Sequence, residues 1–212
     1  MIGPALLRSG LMTSTEVHPR MKRIVVGISG ASGVIHGVRL LEVLREVSDV
    51  ETHLVVSSAG KRTIALETDR SIEEVEALAD RCSRVGDIAA AIASGSFRTA
   101  GMVVVPCSMK TLSGIANSYA DNLLTRAAEV TLKDRRRLVL VPRETPLHLG
   151  HLRLFVKVAE MGAVVMPPMP AFYHRPETVG EIVDQTVNRI VDLLDIELDE
   201  DLFPRWTGPD RR

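Results

Sequence analysis

The chain has 212 residues, 45% of them hydrophobic, which is enough for a well-buried core and short enough for one domain. With 26 basic against 27 acidic residues the formal net charge is −1, so the basic field that nucleic-acid binding requires is absent and no nucleic-acid partner is expected. The two cysteines, Cys82 and Cys107, have no paired spacing, which argues against a zinc module and for a reducing, cytoplasmic compartment.

Residues 1–21 hold only a brief apolar patch, without the apolar core and small-residue cleavage site of a secretion signal. They read as a flexible extension in which Met12 and Met21 are both alternative starts. No stretch reaches the roughly 20 apolar residues of a membrane-spanning helix, so no span is expected. From Lys22 onward, apolar runs of strand length alternate with helical patterns, the signature of βαβ units and a parallel sheet. Strands are expected at Arg23 to Ile28, Thr52 to Val56, Met102 to Val105, Leu138 to Val141 and Ala163 to Met166. The first helix should run from about Ser32 to Val47, with Val34, Val38, Leu41 and Leu44 at helical spacing. Ser71 with Glu74, and Thr178 with Glu181, have capping-box spacing; Thr145 before Pro146 reads as N-cap and first residue of the helix carrying His148, His151 and Phe155. The proline-rich MPPMPAFYHRP cannot join a sheet interior and should lie as an ordered loop over the sheet's rim. Residues 207–212 read as a tail, and the lone Trp206 just before them is placed to dock, on its own chain or on a neighbouring subunit.

Three expected strands end in polar loops, and in open α/β sheets that rim is where ligands bind. GISGASGVIHG stands between strand and helix, where glycines admit close approach of a phosphate to free N–H groups; a tight turn that needs glycine is the plainer reading. Its spacing departs from G-x-G-x-x-G and the next strand ends in Ser57 and Ser58 rather than an acid, which favours a mononucleotide over NAD. PCSMKTLSG sets Ser108, Lys110, Thr111 and Ser113 ahead of a helix, for phosphate binding or for helix capping. Cys107 has no neighbouring histidine or acid to activate it and is expected to be a buried small hydrophobe. LVLVPRE delivers Arg143 and Glu144 to the rim. Arg126 and Lys133, two helical turns apart on one face, join Arg143 and Arg189 as bases that suit a phosphate dianion, although a solvated basic face is the ordinary reading of such a pair. His148 and His151 near Glu144 lack a third good ligand, so no metal is expected.

With these motifs in chain order (GISGASG, PCSMKTLSG, LLTRAAEV, LVLVPRETPLHLGHLR and MPPMPAFYHRP), residues 22–206 resemble the UbiX-type flavin prenyltransferases. The resemblance implies a Rossmann-like, flavodoxin-like open parallel sheet with helices on both faces, and assembly as a homo-dodecamer built from trimers. It implies reduced FMN as co-substrate, dimethylallyl phosphate as prenyl donor, no metal, and a UbiD-type decarboxylase as recipient of the prenylated FMN, in quinone synthesis such as ubiquinone formation or in phenolic-acid breakdown. It places Gly30, Ala31, Ser32, Ser57, Ser108, Met109, Lys110, Thr111 and Arg126 on FMN, and Lys133, Arg143, Glu144, Tyr173 and Arg189 around the donor phosphate. Ser32 would lie near the reacting end and Trp206 would supply an aromatic wall. Glu144, Ser32 and Arg143 are the implied catalytic residues: an arginine neutralises the leaving phosphate, and a carboxyl moves protons. One departure stands out, His36 where many relatives carry tyrosine. The rival readings are a flavin-dependent cysteine or aromatic-acid decarboxylase and a non-enzymatic FMN-binding protein. A cysteine decarboxylase is expected to carry a PxMNxxM-type motif where this chain has PPMPAFY, an aromatic-acid decarboxylase needs a dedicated substrate pocket that no motif here supplies, and a non-enzymatic binder has no need of Arg143 and Glu144 together.

Overall fold

A computed structural model describes residues 21–208; the N-terminal extension up to residue 20 and residues 209–212 of the tail lie outside the described residues. Six strands form one sheet in the order β3-β2-β1-β4-β5-β6, and every pairing is parallel. They are β1 (Lys22–Ile28), β2 (Val50–Val56), β3 (Arg81–Arg84), β4 (Gly101–Cys107), β5 (Arg137–Pro142) and β6 (Val164–Val165). The helices are α1 (Val34–Arg45), α2 (Ser58–Glu67), α3 (Ile72–Glu76), α4 (Met109–Ala116), α5 (Leu123–Lys133), α6 (Leu149–Glu160) and α7 (Val179–Leu193).

The runs KRIVVGI, GMVVVPC and RLVLVP are apolar on both faces because both faces are covered. Ile24, Val26, Ile28, Val103, Val105, Val139 and Val141 face α1 and α7, where Val38, Leu41, Val183, Val187 and Ile190 meet them. Val25, Met102, Val104, Leu138 and Leu140 face the opposite layer, with Leu112, Leu124, Ala128 and Val158 from α4, α5 and α6. Each such fully buried aliphatic side chain contributes about 1.5–3 kcal/mol, so the two layers fix the sheet's plane and thereby its rim.

Four local expectations are corrected. Helix α1 starts at Val34, two residues later than expected, because Gly33 has φ +94° and cannot belong to it. Strand β3 was not expected at all: RCSR has no apolar alternation, and it pairs on one side only, held there by Asp80, whose carboxylate accepts from the Thr52 N–H at 2.7 Å and hydroxyl at 2.9 Å. Helix α6 starts at Leu149 with His148 as its cap, whose Nδ1 accepts from the Gly150 N–H at 3.0 Å; Thr145–Pro146 is a cis peptide in the preceding loop, not a helix start. At α7 only half of the capping box forms. The Thr178 hydroxyl accepts from the Glu181 N–H, but the Glu181 carboxylate turns to the N–H of Glu177. The Ser71–Glu74 box at α3 is complete.

Candidate active site

The chain leaves β1 toward β2 on one side and reaches β4 on the other, so the strand order reverses between β1 and β4 and their carboxyl ends open a crevice. Buried Ser29 ties the two loops there: its hydroxyl donates to the Pro106 carbonyl at 2.9 Å and accepts from the Ser108 N–H at 2.7 Å. Beside it lies a cavity of about 820 Å³ lined by Gly30, Ser57, Ser58, Arg62, Ser108, Lys110, Thr111, Tyr119, Asn122 and others, with Val85 and Leu124 as apolar wall. Three helix N-termini converge on it, each capped by its own side chain. Ser57 accepts from the Gly60 N–H, Ser108 from Thr111 and Asn122 from Thr125. Converging helix N-termini with Lys110 and Arg62 alongside suit an anion, and the apolar wall suits a flat ring. Gly30 is required where it stands, because a Cβ there would lie 2.3 Å from the Ala59 Cβ.

On the same rim the start of α1 is clasped by a residue that sequence reasoning passed over. Glu67, the last residue of α2, accepts from the N–H groups of Gly33 at 2.8 Å and Val34 at 3.2 Å. Burial pushes its carboxyl up, but hydrogen bonds from the Ser32 side chain, from those two N–H groups, and the nearby Arg143 charge more than offset this and hold it below the ordinary value. Glu67 therefore holds the start of α1, next to Ser32, and lies within reach of the Arg143 charge from the β5 end. Its contact partner lies 34 positions away in sequence, so nothing in ALETDR signals the role.

Arg143 and Glu144 follow β5 directly and are both exposed; the Arg143 N–H donates to the Cys107 carbonyl at 3.2 Å, which aligns this end with β4. The proline-rich segment after β6 is irregular. Tyr173 in it meets Trp206 edge-on with centroids 5.7 Å apart, so the lone tryptophan docks on its own chain; His174 packs on Phe203 at 5.6 Å in the same way. Asp192 on α7 takes both Arg189 at 3.0 Å and Arg205 at 2.8 Å, which fastens the tail along the helix.

One chain does not gather all the expected residues. Gly30, Ser57, Ser108, Lys110 and Thr111 line the cavity, whereas Ala31, Ser32, Met109 and Arg126 do not. The Arg126 guanidinium donates to the Ala93 carbonyl at 3.2 Å and to Glu129 at 2.7 Å. Lys133 ends α5 at the opposite rim, paired with Asp134 at 3.3 Å, and the whole length of β5, about 20 Å, separates it from Arg143. Arg189 lies one turn before Leu193, whose carbonyl accepts from Arg137 at the amino end of β5, again on the far side from Arg143. The four bases thus do not form one phosphate site within a chain. Cys107 is fully buried and burial pushes its thiol up, as expected of a packing residue. His148 and His151 stack with centroids 3.6 Å apart at the start of α6.

The flavoprotein family model matches residues 12–195. The chain is 65% identical over 188 residues to the flavin prenyltransferase UbiX of Escherichia coli strain K12, covering 89% of this chain and 100% of that one. Among solved structures it is similar to AnUbiX (PadA1) in complex with FMN and dimethylallyl pyrophosphate, with TM-score 0.87, 49% identity, and 90% and 100% of the two chains covered. It is also similar to a dodecameric FMN-dependent UbiX-like decarboxylase from Escherichia coli O157:H7, with TM-score 0.84, 52% identity, and 88% and 100% covered.

Proposed function

The chain belongs to the flavoprotein family and within it to the UbiX flavin prenyltransferases, and from that premise and the rim's geometry we infer that it joins a dimethylallyl group from dimethylallyl phosphate to reduced FMN. The observation that carries the reading is the meeting at one rim of a cavity built from three helix N-termini with the Arg143 and Glu144 that β5 delivers to its edge. A pure binding protein has use for the first and none for the second.

FMN fits the cavity: its phosphate suits the N–H groups and hydroxyls around Ser108, Thr111 and Asn122 with Lys110 and Arg62, and its ring suits Val85 and Leu124. When bound in reduced form it supplies the nucleophilic N5 and C6 that the allyl group joins. The protein's part is to carry charge and protons. Arg143 neutralises the phosphate as it leaves the allylic carbon, and Glu144 beside it gives that phosphate a proton and takes one from the ring carbon. Ser32 stands next to the reacting end, one residue before the Gly33 that Glu67 holds, and the Tyr173–Trp206 pair of a neighbouring copy offers aromatic faces to developing allylic cation.

Lys133 and Arg189 can join this work only from other copies of the chain, and the surface supports such an assembly. Among the 12 residues of α6 only Val158 is buried, while Leu149, Leu152 and Val156 stand exposed along one side. We place the chain in a homo-dodecamer, with Lys133 and Arg189 reaching a neighbour's Arg143 and Glu144. Its product goes to a UbiD-type decarboxylase in the cytoplasm; no described helix is long and apolar enough to cross a membrane. Mass spectrometry of the small molecule released after incubation with reduced FMN and dimethylallyl phosphate tests the reading: a product heavier than FMN by one dimethylallyl group is expected, and unchanged FMN overturns it.

A further inference from the structure

Gly33 is the residue on which the start of α1 turns. Its φ of +94° is left-handed, it precedes the first helical residue, and it follows Ser32 directly. Both of its backbone polar groups are held by side chains. Glu67 accepts from its N–H at 2.8 Å, and its carbonyl lies 3.0 Å from Nδ1 of His36. A carbonyl only accepts, so the imidazole donates from Nδ1 and is the Nδ1–H tautomer, with Nε2 bare when the ring is neutral. The His36 backbone N–H reaches the same carbonyl at 3.1 Å.

We propose that His36 is a positioning residue for the prenyl transfer: its Nδ1–H and the Glu67 carboxylate clamp Gly33 from opposite ends, and this fixes the backbone that presents Ser32, the residue before it. The inference rests on the function proposed above. Its geometry also gives the clamp a pH limit. His36 sits in the first turn of α1, where the helix dipole disfavours a cation. Burial lowers its pKa from the ordinary 6.5, while the bond to Gly33 and the charge of Glu67 push the other way without prevailing. From α2 the charged group that acts on the ring is Glu67, itself within reach of the Arg143 charge; on α1, Arg39 is occupied by Asp184 of α7 at 2.7 Å and by Glu42 at 3.4 Å. A proton taken up on Nε2 leaves the Nδ1–H in place but adds a cation beside Glu67, which lowers the carboxylate's proton affinity and weakens it as an acceptor for the Gly33 N–H. Turnover should therefore decline as pH falls through a value below 6.5 and stand at its plateau above it.

Two variants separate the clamp from mere packing. His36→Asn places an amide N–H where Nδ1 stands, without a titrating nitrogen; His36→Phe fills the space without a donor. At pH 8, His36→Phe should lower kcat by about 3–10-fold, the effect of one lost hydrogen bond, with FMN affinity changed less than about twofold. His36→Asn should keep most of the kcat at pH 8 and lose the extra decline that the native enzyme shows on going to pH 5.5. Nitrogen-15 NMR of imidazole-labelled, flavin-free protein supplies a readout apart from activity: at pH 7.5 the signal abolished by His36→Asn should show a protonated Nδ1 and a bare Nε2. Full native kcat in His36→Phe, an acid decline unchanged in His36→Asn, or an Nε2–H tautomer overturns the clamp. If the native protein makes no prenylated flavin, the function fails instead, and the NMR still decides the clamp.

Discussion

At the ends of β1, β2 and β4 the polar groups that face the cavity are held by the same chain: Ser57, Ser108 and Asn122 each cap a helix, and Ser29 locks the β1 loop to the β4 loop. At the end of β5 Arg143 and Glu144 stand exposed, and the two further bases expected with them lie at a distance within the chain, as does Trp206, which follows the Arg205 paired with Asp192 on α7. The first half of the rim is a finished binding site and the second an open one. A flavin must be gripped in a fixed pose while the donor enters and its phosphate departs, so a prebuilt half beside a half left open divides binding from chemistry.

That division predicts opposite phenotypes for the two halves. The largest effect is expected at the open half: Glu144→Gln should slow turnover by about 10²-fold or more, measured as prenylated FMN formed per minute, while FMN titration gives an unchanged affinity. Weakened FMN binding in that variant would erase the distinction. Next comes the assembly itself. Lys133→Ala and Glu144→Gln oligomers should each be feeble, and hetero-oligomers of the two should recover about 10-fold or more over either parent, because one intact site can then draw each residue from a different copy. No recovery would mean that both residues act within one chain, which the length of β5 between them forbids in this fold. At the finished half, Ser108→Ala removes a helix cap and a cavity hydroxyl. It should weaken FMN binding by about 3–10-fold and cost about 1 kcal/mol of stability, seen as a melting temperature lower by about 2–4 °C, with turnover restored at saturating FMN. The smallest effect is expected from chelation: excess EDTA should leave product formation unchanged if Lys133, Arg143 and Arg189 do for the phosphate what magnesium does elsewhere, and activity that EDTA abolishes and magnesium restores would refute that assignment.

The sequence by itself determined the parallel sheet, through the doubly apolar runs of β1, β4 and β5, and it determined which loops reach the rim, because a strand that ends in Gly30, Ser108 or Arg143 must present them there. It also placed the Ser71 and Thr178 caps, since capping is settled by residues three apart. It mistook the start of α6 because Thr-Pro and His-Leu-Gly offer two local starts, and only the packing of the helix selects the second. It missed β3 because an edge strand held by one neighbour needs no apolar face. What the tertiary structure alone decided is every relation across distance: Glu67 on Gly33 and Val34, Ser29 on Ser108, Trp206 on Tyr173, and the separation of Lys133 from Arg143 despite their closeness in the chain. The physical reason is that residue type and spacing set the local backbone, whereas contacts between side chains far apart in sequence depend on how sheet and helices stack, and a strand between two residues carries them to opposite rims.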